Sequence, residues 1–215
     1  MNREMDVALN AEMHMASSRE TRMVETPAAF SHVLAGLRIL FTILAGSAFV
    51  AVCAHIALPL SFTPVPLTLQ PFAVLLLGLL LSRWVAAATL TAYLIEGASG
   101  LPVFTPAGVN LTGYYHLFGS TGGYLLAYPF AVYVIAALWR SSKHNLWWAI
   151  LSAGAGNLLI LVAGAGWFSI LSHASLNTVL VDSVIPFLPG DALKVAVAAS
   201  LGYEWYRNRP ARPRA

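Results

Sequence analysis

Residues Leu146–Leu171 read LWWAILSAGAGNLLILVAGAGWFSIL and contain no Asp, Glu, Lys or Arg. A helix needs about 20 mostly apolar residues to cross the hydrocarbon core of a bilayer, and this run is long enough. We therefore predict a membrane-spanning helix here. Its one side-chain amide, Asn157, needs partners for two donors and an acceptor. Either a helix-to-helix hydrogen bond or a ligand would supply them.

The composition of the whole chain points to the same environment. Of its 215 residues, 58% are hydrophobic and only 10% are charged, whereas a soluble domain carries about 25% charged residues. This excludes an ordinary soluble enzyme, a disordered chain and a nucleic-acid-binding protein, despite the net charge of +3. The single cysteine, Cys53, excludes a disulfide framework and a cysteine-based metal site. The chain is predicted to be a polytopic membrane protein.

Prolines, glycines and charges divide the apolar material into six predicted spans. These are Leu34–Leu58, Leu69–Leu81, Trp84–Ile95, Tyr124–Trp139, Leu146–Leu171 and Ala192–Tyr206. Between the third and fourth spans, Glu96–Gly123 is rich in Gly, Pro and Thr. Such a segment is tolerated at membrane depth only where protein buries it or it lines a cavity. The fold predicted is an all-α integral membrane protein with six transmembrane helices and an irregular external loop between helices 3 and 4.

Basic residues set the predicted orientation. All but one of the 12 Lys and Arg residues fall on one side of the six-span arrangement, which the positive-inside rule makes cytoplasmic. We predict a multi-pass protein of the plasma (inner) membrane with both termini in the cytoplasm. Residues 1–30 form a disordered N-terminal tail or include an alternative start, residues 31–207 form the six-helix domain, and residues 208–215 form a basic C-terminal tail.

Lys194 is the remaining base, on the opposite side at the start of the last span, three residues after Asp191. Residues three apart share a helix face. One interpretation is structural: Asp191 follows Pro189-Gly190 and would be an N-cap, and the Lys194 side chain would extend to the membrane interface. Against this, a lysine in the first turn opposes the helix dipole, and ionisable groups within spans are usually functional. An anionic ligand arriving from outside would suit the pair.

Other polar residues are weaker candidates. Glu96 closes the third span and is either a ligand contact or an exposed loop acid. Tyr93, one turn earlier, serves packing or ligand contact, and Gln70 begins the second span.

Three stretches together carry a family resemblance. They are Val65-Pro-Leu-Thr-Leu-Gln70, then Tyr93-Leu-Ile-Glu-Gly-Ala-Ser-Gly-Leu-Pro-Val-Phe104 with Ser120-Thr-Gly-Gly-Tyr-Leu-Leu126, and Pro186-Phe-Leu-Pro-Gly-Asp-Ala-Leu-Lys194. In this order they resemble the BioY family, the biotin-binding membrane subunit (S component) of energy-coupling factor (ECF) transporters. The resemblance covers about residues 34–205. After Phe104 the sequence departs from the glycine-rich run of many relatives, so we assign no role to Asn110 or His116.

The resemblance implies a protein that captures biotin from outside and has no cofactor. Carried over, the polar binding residues are Asp191, Lys194, Asn157 and Gln70. Lys194 would neutralise the valerate carboxylate, while Asp191 and Asn157 suit the ureido ring. Phe104, Tyr93 and Tyr124 would wall the apolar parts of the vitamin.

The resemblance also implies partners. The chain contains no G-x-x-x-x-G-K-[ST] loop to hold nucleotide phosphates, so a membrane coupling subunit and two ATPase subunits would supply energy. Small residues on the first span, Ser47, Ala48 and Ala51, would let the coupling subunit approach closely, or they serve internal packing. Self-association and contact with membrane lipid are further expectations.

Three rival functions stay open. Ser120 and His116 could suggest an intramembrane protease, although they lie four residues apart in a loop. Asp191, Lys194 and Glu96 could form the relay of a solitary or proton-coupled vitamin carrier. The chain could also be an S component for another vitamin.

Overall fold

Helices form most of the chain, and their ends lie where prolines and capping side chains interrupt the apolar runs. The structure, a computed structural model, describes Met13, residues 28–106 and residues 113–209. Its helices are α1 (Ala28–His55), α2 (Gln70–Leu80), α3 (Arg83–Ala98), α4 (Tyr115–Phe118), α5 (Gly122–Arg140), α6 (Leu146–Ser172), α7 (Leu176–Ser183) and α8 (Leu188–Arg207), with a 3-10 turn at Ile185–Phe187. The side chains of Ser82 and Asn145 cap α3 and α6 by accepting from Val85 N and Trp148 N.

The proline-rich segment after α1 forms a small hairpin. Strand β1 (Ala57–Leu58) pairs antiparallel with β2 (Leu67–Thr68), with Ala57 opposite Thr68. The predicted first span therefore ends early, because Ala57–Leu58 leave the helix. The predicted loop around the double proline becomes the turn of this hairpin, which leads directly into α2.

The described residues fall into two compact units that divide within α1, between Phe41 and Thr42. In the second unit α5 packs against α6 and α3, and α2 lies against α8, α5 and α6. Two apolar clusters fill the space between these helices. One includes Leu90, Val132 and Ile160, and the other includes Leu75, Ile135 and Ala198.

Four helical segments of the described chain are long and apolar enough to cross a membrane. They are Phe30–His55, Gly122–Arg140, Leu146–Ser172 and Leu176–Arg207, the last combining α7, the 3-10 turn and α8. Helix α2, with 11 residues, is a shorter apolar helix, and α3 has 16 residues. By length and composition these four segments fit the predicted all-α integral membrane protein, and the count of six spans stays a prediction.

Two helix boundaries correct the sequence predictions. Helix α3 runs on to Ala98, so Glu96 lies within a helix rather than opening the irregular loop. Helix α8 begins at Leu188, its N-cap position is Phe187, and no side chain caps it. Asp191 is therefore not an N-cap, and it lies in the first turn with its carboxylate available for other partners.

Some predictions fall on other parts of the chain. The N-terminal tail lies outside the described residues except for Met13 and the first residues of α1, and Asn110 also lies outside them. Of the basic C-terminal tail, Asn208 and Arg209 are described. The division into tails and membrane domain stays a prediction.

Candidate ligand-binding site

A partly open cavity of about 480 Å³, including the open space at its mouth, lies where the hairpin, α2, α5, α6 and α8 meet. The lining residues are Val65, Pro66, Thr68, Gln70, Pro71, Thr105, Thr121, Tyr124, Leu125, Tyr128, Ile160, Leu161, Phe187, Asp191 and Lys194. The wall is thus mostly apolar, with a charged pair and a few hydroxyl and amide groups.

The charged pair sits on the first turns of α8. Lys194 Nζ donates to Asp191 Oδ1 at 3.0 Å, and the two residues are only 8% and 4% exposed. Asn157 in α6 donates from Nδ2 to the other carboxylate oxygen, Asp191 Oδ2, at 3.2 Å. Both oxygens of Asp191 are therefore held by separate elements. This fixes the carboxylate at the cavity wall.

Asn157 supports the site from behind Asp191. Its Oδ1 is buried and has no hydrogen-bond partner among the described residues. An unsatisfied buried acceptor costs free energy, and Asn157 does not itself line the cavity. The structure thus brings Asp191, Lys194 and Asn157 together, with Asn157 one step removed from the cavity.

A second hydrogen-bonded chain orients Gln70 at the start of α2. Gln70 Nε2 donates to Tyr93 Oη at 2.6 Å, and Tyr93 Oη donates to the carbonyl of Val103 at 3.0 Å. Thr68 Oγ1 donates to Gln70 Oε1 at 3.4 Å. Tyr93 therefore connects a cavity-lining amide to the loop after α3, without lining the cavity.

Two tyrosines one turn apart on α5 form an aromatic wall. Tyr124 Oη donates to the carbonyl of Ser183 at 2.6 Å, which ties α5 to the end of α7. The Tyr124 ring fits against α6 because residue 164 is glycine, and a Cβ there would strike that ring. Tyr128 follows at i+4, is 2% exposed to solvent and also lines the cavity.

Phe104 lies outside the cavity, contrary to its predicted role as a wall. Its ring packs edge-on against Tyr93 at 5.4 Å and tilted against His116 at 5.4 Å. Gly97 makes room for this ring, since a Cβ at that position would overlap it. Phe104 and Tyr93 together anchor the loop after α3 to the helix.

Glu96 and Ser47 form a contact of their own. Ser47 Oγ donates to Glu96 Oε2, joining α1 to α3. Glu96 does not line the cavity, so its predicted ligand contact is not supported. Ser47 is completely buried within the chain, whereas Ala48 is exposed and Ala51 is half-buried. Ser47 therefore cannot be part of a docking surface, which corrects the predicted small-residue pair.

The residues of the proposed protease dyad are engaged elsewhere. The hydroxyl of Ser120 donates to the carbonyl of Pro64 at 3.4 Å, and His116 Nε2 contacts the carbonyl of Thr105 at 3.2 Å. Neither bond joins the two side chains. A serine nucleophile needs a base within hydrogen-bond reach, and this arrangement does not provide one.

Known proteins resemble this chain over most of its length. The model of the BioY family matches residues 21–211. The chain belongs to the BioY family. A probable biotin transporter BioY from Pyrococcus horikoshii is 38% identical over 138 residues, covering 64% of this chain and 78% of the relative. The biotin transporter BioY from Thermotoga maritima is 34% identical over 154 residues, covering 71% and 86%.

A solved structure agrees with the fold of this BioY chain. The crystal structure of the S-component for biotin from an ECF-type ABC transporter matches with a TM-score of 0.73 and 25% identity. The match covers 81% of this chain and 93% of that one. The family and the fold are thus supported independently by sequence and structure.

Sequence reasoning missed several cavity-lining residues of this BioY chain. Tyr128 could have been found, because it lies at i+4 from Tyr124 and so shares its helix face. Thr68, Thr105 and Thr121 gave no comparable signal. They belong to the hairpin, the loop after α3 and the start of α5, and only the tertiary fold places them at one cavity.

Proposed function

We propose that this chain is the biotin-binding subunit, the S component, of an ECF-type transporter and mediates biotin uptake. It is a binding and transport protein rather than an enzyme, as its family indicates. One observation carries the proposal beyond the family. A mostly apolar cavity is lined by the buried Asp191–Lys194 pair, and Asn157 of α6 holds the second carboxylate oxygen of Asp191.

The chemistry of the cavity suits the two ends of biotin. Its valerate carboxylate is an anion that the Lys194 ammonium can neutralise. Its ureido N–H groups need acceptors, and each oxygen of Asp191 retains a lone pair beyond the bond it already accepts. The apolar ring system suits the Tyr124 and Phe187 side of the wall.

Calorimetric titration tests the ligand. We expect biotin to bind the purified chain and thiamine, riboflavin and folate to release no heat. Lys194→Met should weaken biotin binding at least about tenfold, which is roughly 1.4 kcal/mol. Lys143→Met is the matched control, because Lys143 is exposed in the turn between α5 and α6 and does not line the cavity. Equal affinity in wild type and Lys194→Met would reject the site.

We infer that energy comes from partner subunits. No nucleotide-binding loop is present in the sequence, so a coupling subunit and two ATPase subunits would drive uptake. The coupling subunit would approach the exposed side of α1 at Ala48. Vesicles containing this chain alone should bind biotin without accumulating it. Accumulation that a protonophore abolishes would instead identify a solitary proton-coupled carrier.

We also infer the orientation. Arg83, Arg140 and Arg207 lie at ends of α3, α5 and α8, Lys143 lies in the turn between α5 and α6, and none of the four lines the cavity. The positive-inside rule then puts the cavity on the outer side of the plasma membrane and both termini in the cytoplasm. In this arrangement α2 and α3 complete six spans, and the hairpin and the loop after α3 cover the outer mouth.

A further inference from the structure

A chain of hydrogen bonds runs from the hairpin, past the ligand cavity, to the loop after α3. Its members are Thr68, Gln70, Tyr93 and Val103. Thr68 and Gln70 line the cavity, whereas Tyr93 is completely buried and does not line it. The proposed function assigns Tyr93 no part in binding biotin, although its hydroxyl group connects the two halves of this chain.

The direction of the bonds at Tyr93 follows from simple chemistry. The backbone carbonyl of Val103 can only accept, so the Tyr93 hydroxyl donates to it, at 3.0 Å. A phenol has one hydrogen, so Tyr93 Oη must accept in its other contact, which is with Gln70 at 2.6 Å. Only the side-chain nitrogen of Gln70 can donate there. Tyr93 therefore determines which end of the Gln70 amide faces it.

The bonds at the hairpin agree with this direction. The backbone N–H of Gln70 donates to Thr68 Oγ1 at 3.3 Å. The Thr68 hydroxyl keeps its own hydrogen, which it donates to Gln70 Oε1 at 3.4 Å. The nitrogen of the Gln70 amide thus faces Tyr93, and its oxygen faces Thr68. Since a carbonyl oxygen has two lone pairs, Oε1 can accept a second bond.

Packing holds the Tyr93 ring in place independently of these bonds. The Phe104 ring lies edge-on against it with centroids 5.4 Å apart, and Gly97 leaves the space that Phe104 occupies. The terminal torsion of a glutamine side chain is broad and roughly two-fold, so an unrestrained amide could turn over. The fixed hydroxyl of Tyr93 selects one of the two arrangements of the Gln70 amide.

We propose that Tyr93 is a positioning residue for biotin, which fixes the orientation of the Gln70 amide so that Gln70 can contact the vitamin. A reversed amide would put a donor in the place of an acceptor, and a ligand group that suits one would be left unpaired by the other. The inference rests on the proposed function, because it concerns the same cavity. Tyr93 acts on biotin through Gln70, which distinguishes it from a residue that only stabilises the fold.

The test is calorimetric titration of biotin into the full chain as wild type, Tyr93→Phe, Gln70→Met and the double variant. Tyr93→Phe removes only the hydroxyl and keeps the ring against Phe104. It should weaken biotin binding by about threefold to tenfold, and it should cause no further loss where Gln70 is already methionine. Tyr133→Phe is the matched control and should bind biotin as the wild type does, because Tyr133 packs against Trp84 and does not line the cavity.

Thermal melting without ligand tests the hydrogen bonds themselves. Tyr93→Phe should lower the melting temperature in both backgrounds, because the bond to Val103 is lost in each. The decrease should be smaller in the Gln70→Met background, where the bond between Tyr93 and Gln70 is already absent. Equal decreases in the two backgrounds would contradict that bond and with it the proposal.

Two titration results would also overturn the proposal. One is an equal loss of biotin affinity in both backgrounds, since Tyr93 would then act on the fold rather than through Gln70. The other is wild-type affinity in Tyr93→Phe. Failure of the wild type to bind biotin would instead reject the proposed function, and the melting comparison would still test how Gln70 is oriented. If Tyr93→Phe does not fold, Gln70→Glu replaces the amide donor with an oxygen, and wild-type affinity in that variant would reject the role of Tyr93.

Discussion

At the scale of single residues, the buried ion pair of α8 is the main polar feature of the proposed ligand cavity. Lys194 and Asp191 are buried, and Asp191 also accepts from Asn157. Removing one partner of such a pair leaves an uncompensated charge away from water. Removing both charged side chains leaves no uncompensated charge. The effect of the pair on stability can therefore be measured separately from its effect on binding.

We expect Lys194→Met and Asp191→Leu, each alone, to lower the free energy of unfolding by about 3–5 kcal/mol. The double variant should recover most of that loss, because apolar groups replace both charges. It should still fail to bind biotin. Thermal melting in detergent and calorimetric titration measure the two effects. A double variant that binds biotin normally would remove the pair from the proposed site.

Close packing at Gly164 gives a second residue-scale prediction. A Cβ at Gly164 would strike the Tyr124 ring, whereas a Cβ at Gly166 on the same helix meets nothing within 4 Å. Gly164→Ala should cost about 1–3 kcal/mol through overpacking and weaken biotin binding by displacing an aromatic wall. Gly166→Ala should be neutral or slightly stabilising, since alanine favours a helix. Equal melting temperatures would contradict the contact.

The sequence brought some of these residues together as the structure does, and it grouped others with them that the structure places elsewhere. The three-residue spacing of Asp191 and Lys194 was sufficient to put them on one face, and the structure pairs them. Glu96, Tyr93 and Phe104 share motifs with cavity residues, yet they do not line the cavity. Proximity along the chain does not reveal which side of a helix faces a ligand, because that depends on the neighbouring helices.

At the scale of elements, the contact between α1 and α3 replaces the predicted ligand role of Glu96. Ser47 and Glu96 bond to each other away from the cavity. In a double-mutant cycle, Ser47→Ala and Glu96→Ala should show coupling of about 0.6 kcal/mol, the average for such bonds in membranes. Biotin affinity should stay unchanged in both single variants. A large loss of affinity in Glu96→Ala would restore its predicted role in the site.

The turn between α5 and α6 predicts a pH effect on stability. Burial, followed by the charge of Arg140, lowers the pKa of His144 below its ordinary value. Protonation therefore favours the unfolded state. Above about pH 6.5, which is the pKa of a histidine in the unfolded state, His144 is neutral in both states and does not reduce the free energy of unfolding. As the pH falls from there toward the lower native pKa, the free energy of unfolding decreases. His144→Phe keeps a ring against Tyr206 and should flatten this dependence in melting curves. If the melting temperature of His144→Phe depended on pH as the wild type does, this prediction would be wrong.

Helix ends were the least predictable elements. The start of α6 was predicted to the residue, because Asn145 caps an uninterrupted apolar run. Helix α8 begins before its predicted start, since Pro189 fits the first turn of a helix as well as a loop. The hairpin and α7 were missed. Their short segments depend on packing against the helices rather than on a periodic pattern of their own.

At the scale of the whole molecule, the distribution of charge separates two functional ends within the residues from Thr42 onward. The proposed ligand cavity contains a charge-balanced pair, whereas Arg83, Arg140 and Arg207 lie at helix ends that do not line it. In the proposed orientation, a vitamin that arrives from outside meets the first end before any partner acts. The orientation of the helices is therefore the property on which the proposed transport direction depends.

Cysteine labelling tests that orientation, and the chain suits it because its one cysteine, Cys53, is buried. In a Cys53→Ala background, Ser141→Cys reports on the turn between α5 and α6, and Asn177→Cys reports on α7 at the other end; both positions are exposed. In intact cells, a membrane-impermeant maleimide should label position 177 and leave position 141 unlabelled until the membrane is permeabilised. Position 141 should be protected because basic residues keep this turn on the cytoplasmic side of the membrane. Labelling of position 141 in intact cells would reverse the orientation, and it would place the ligand cavity on the side from which biotin does not arrive.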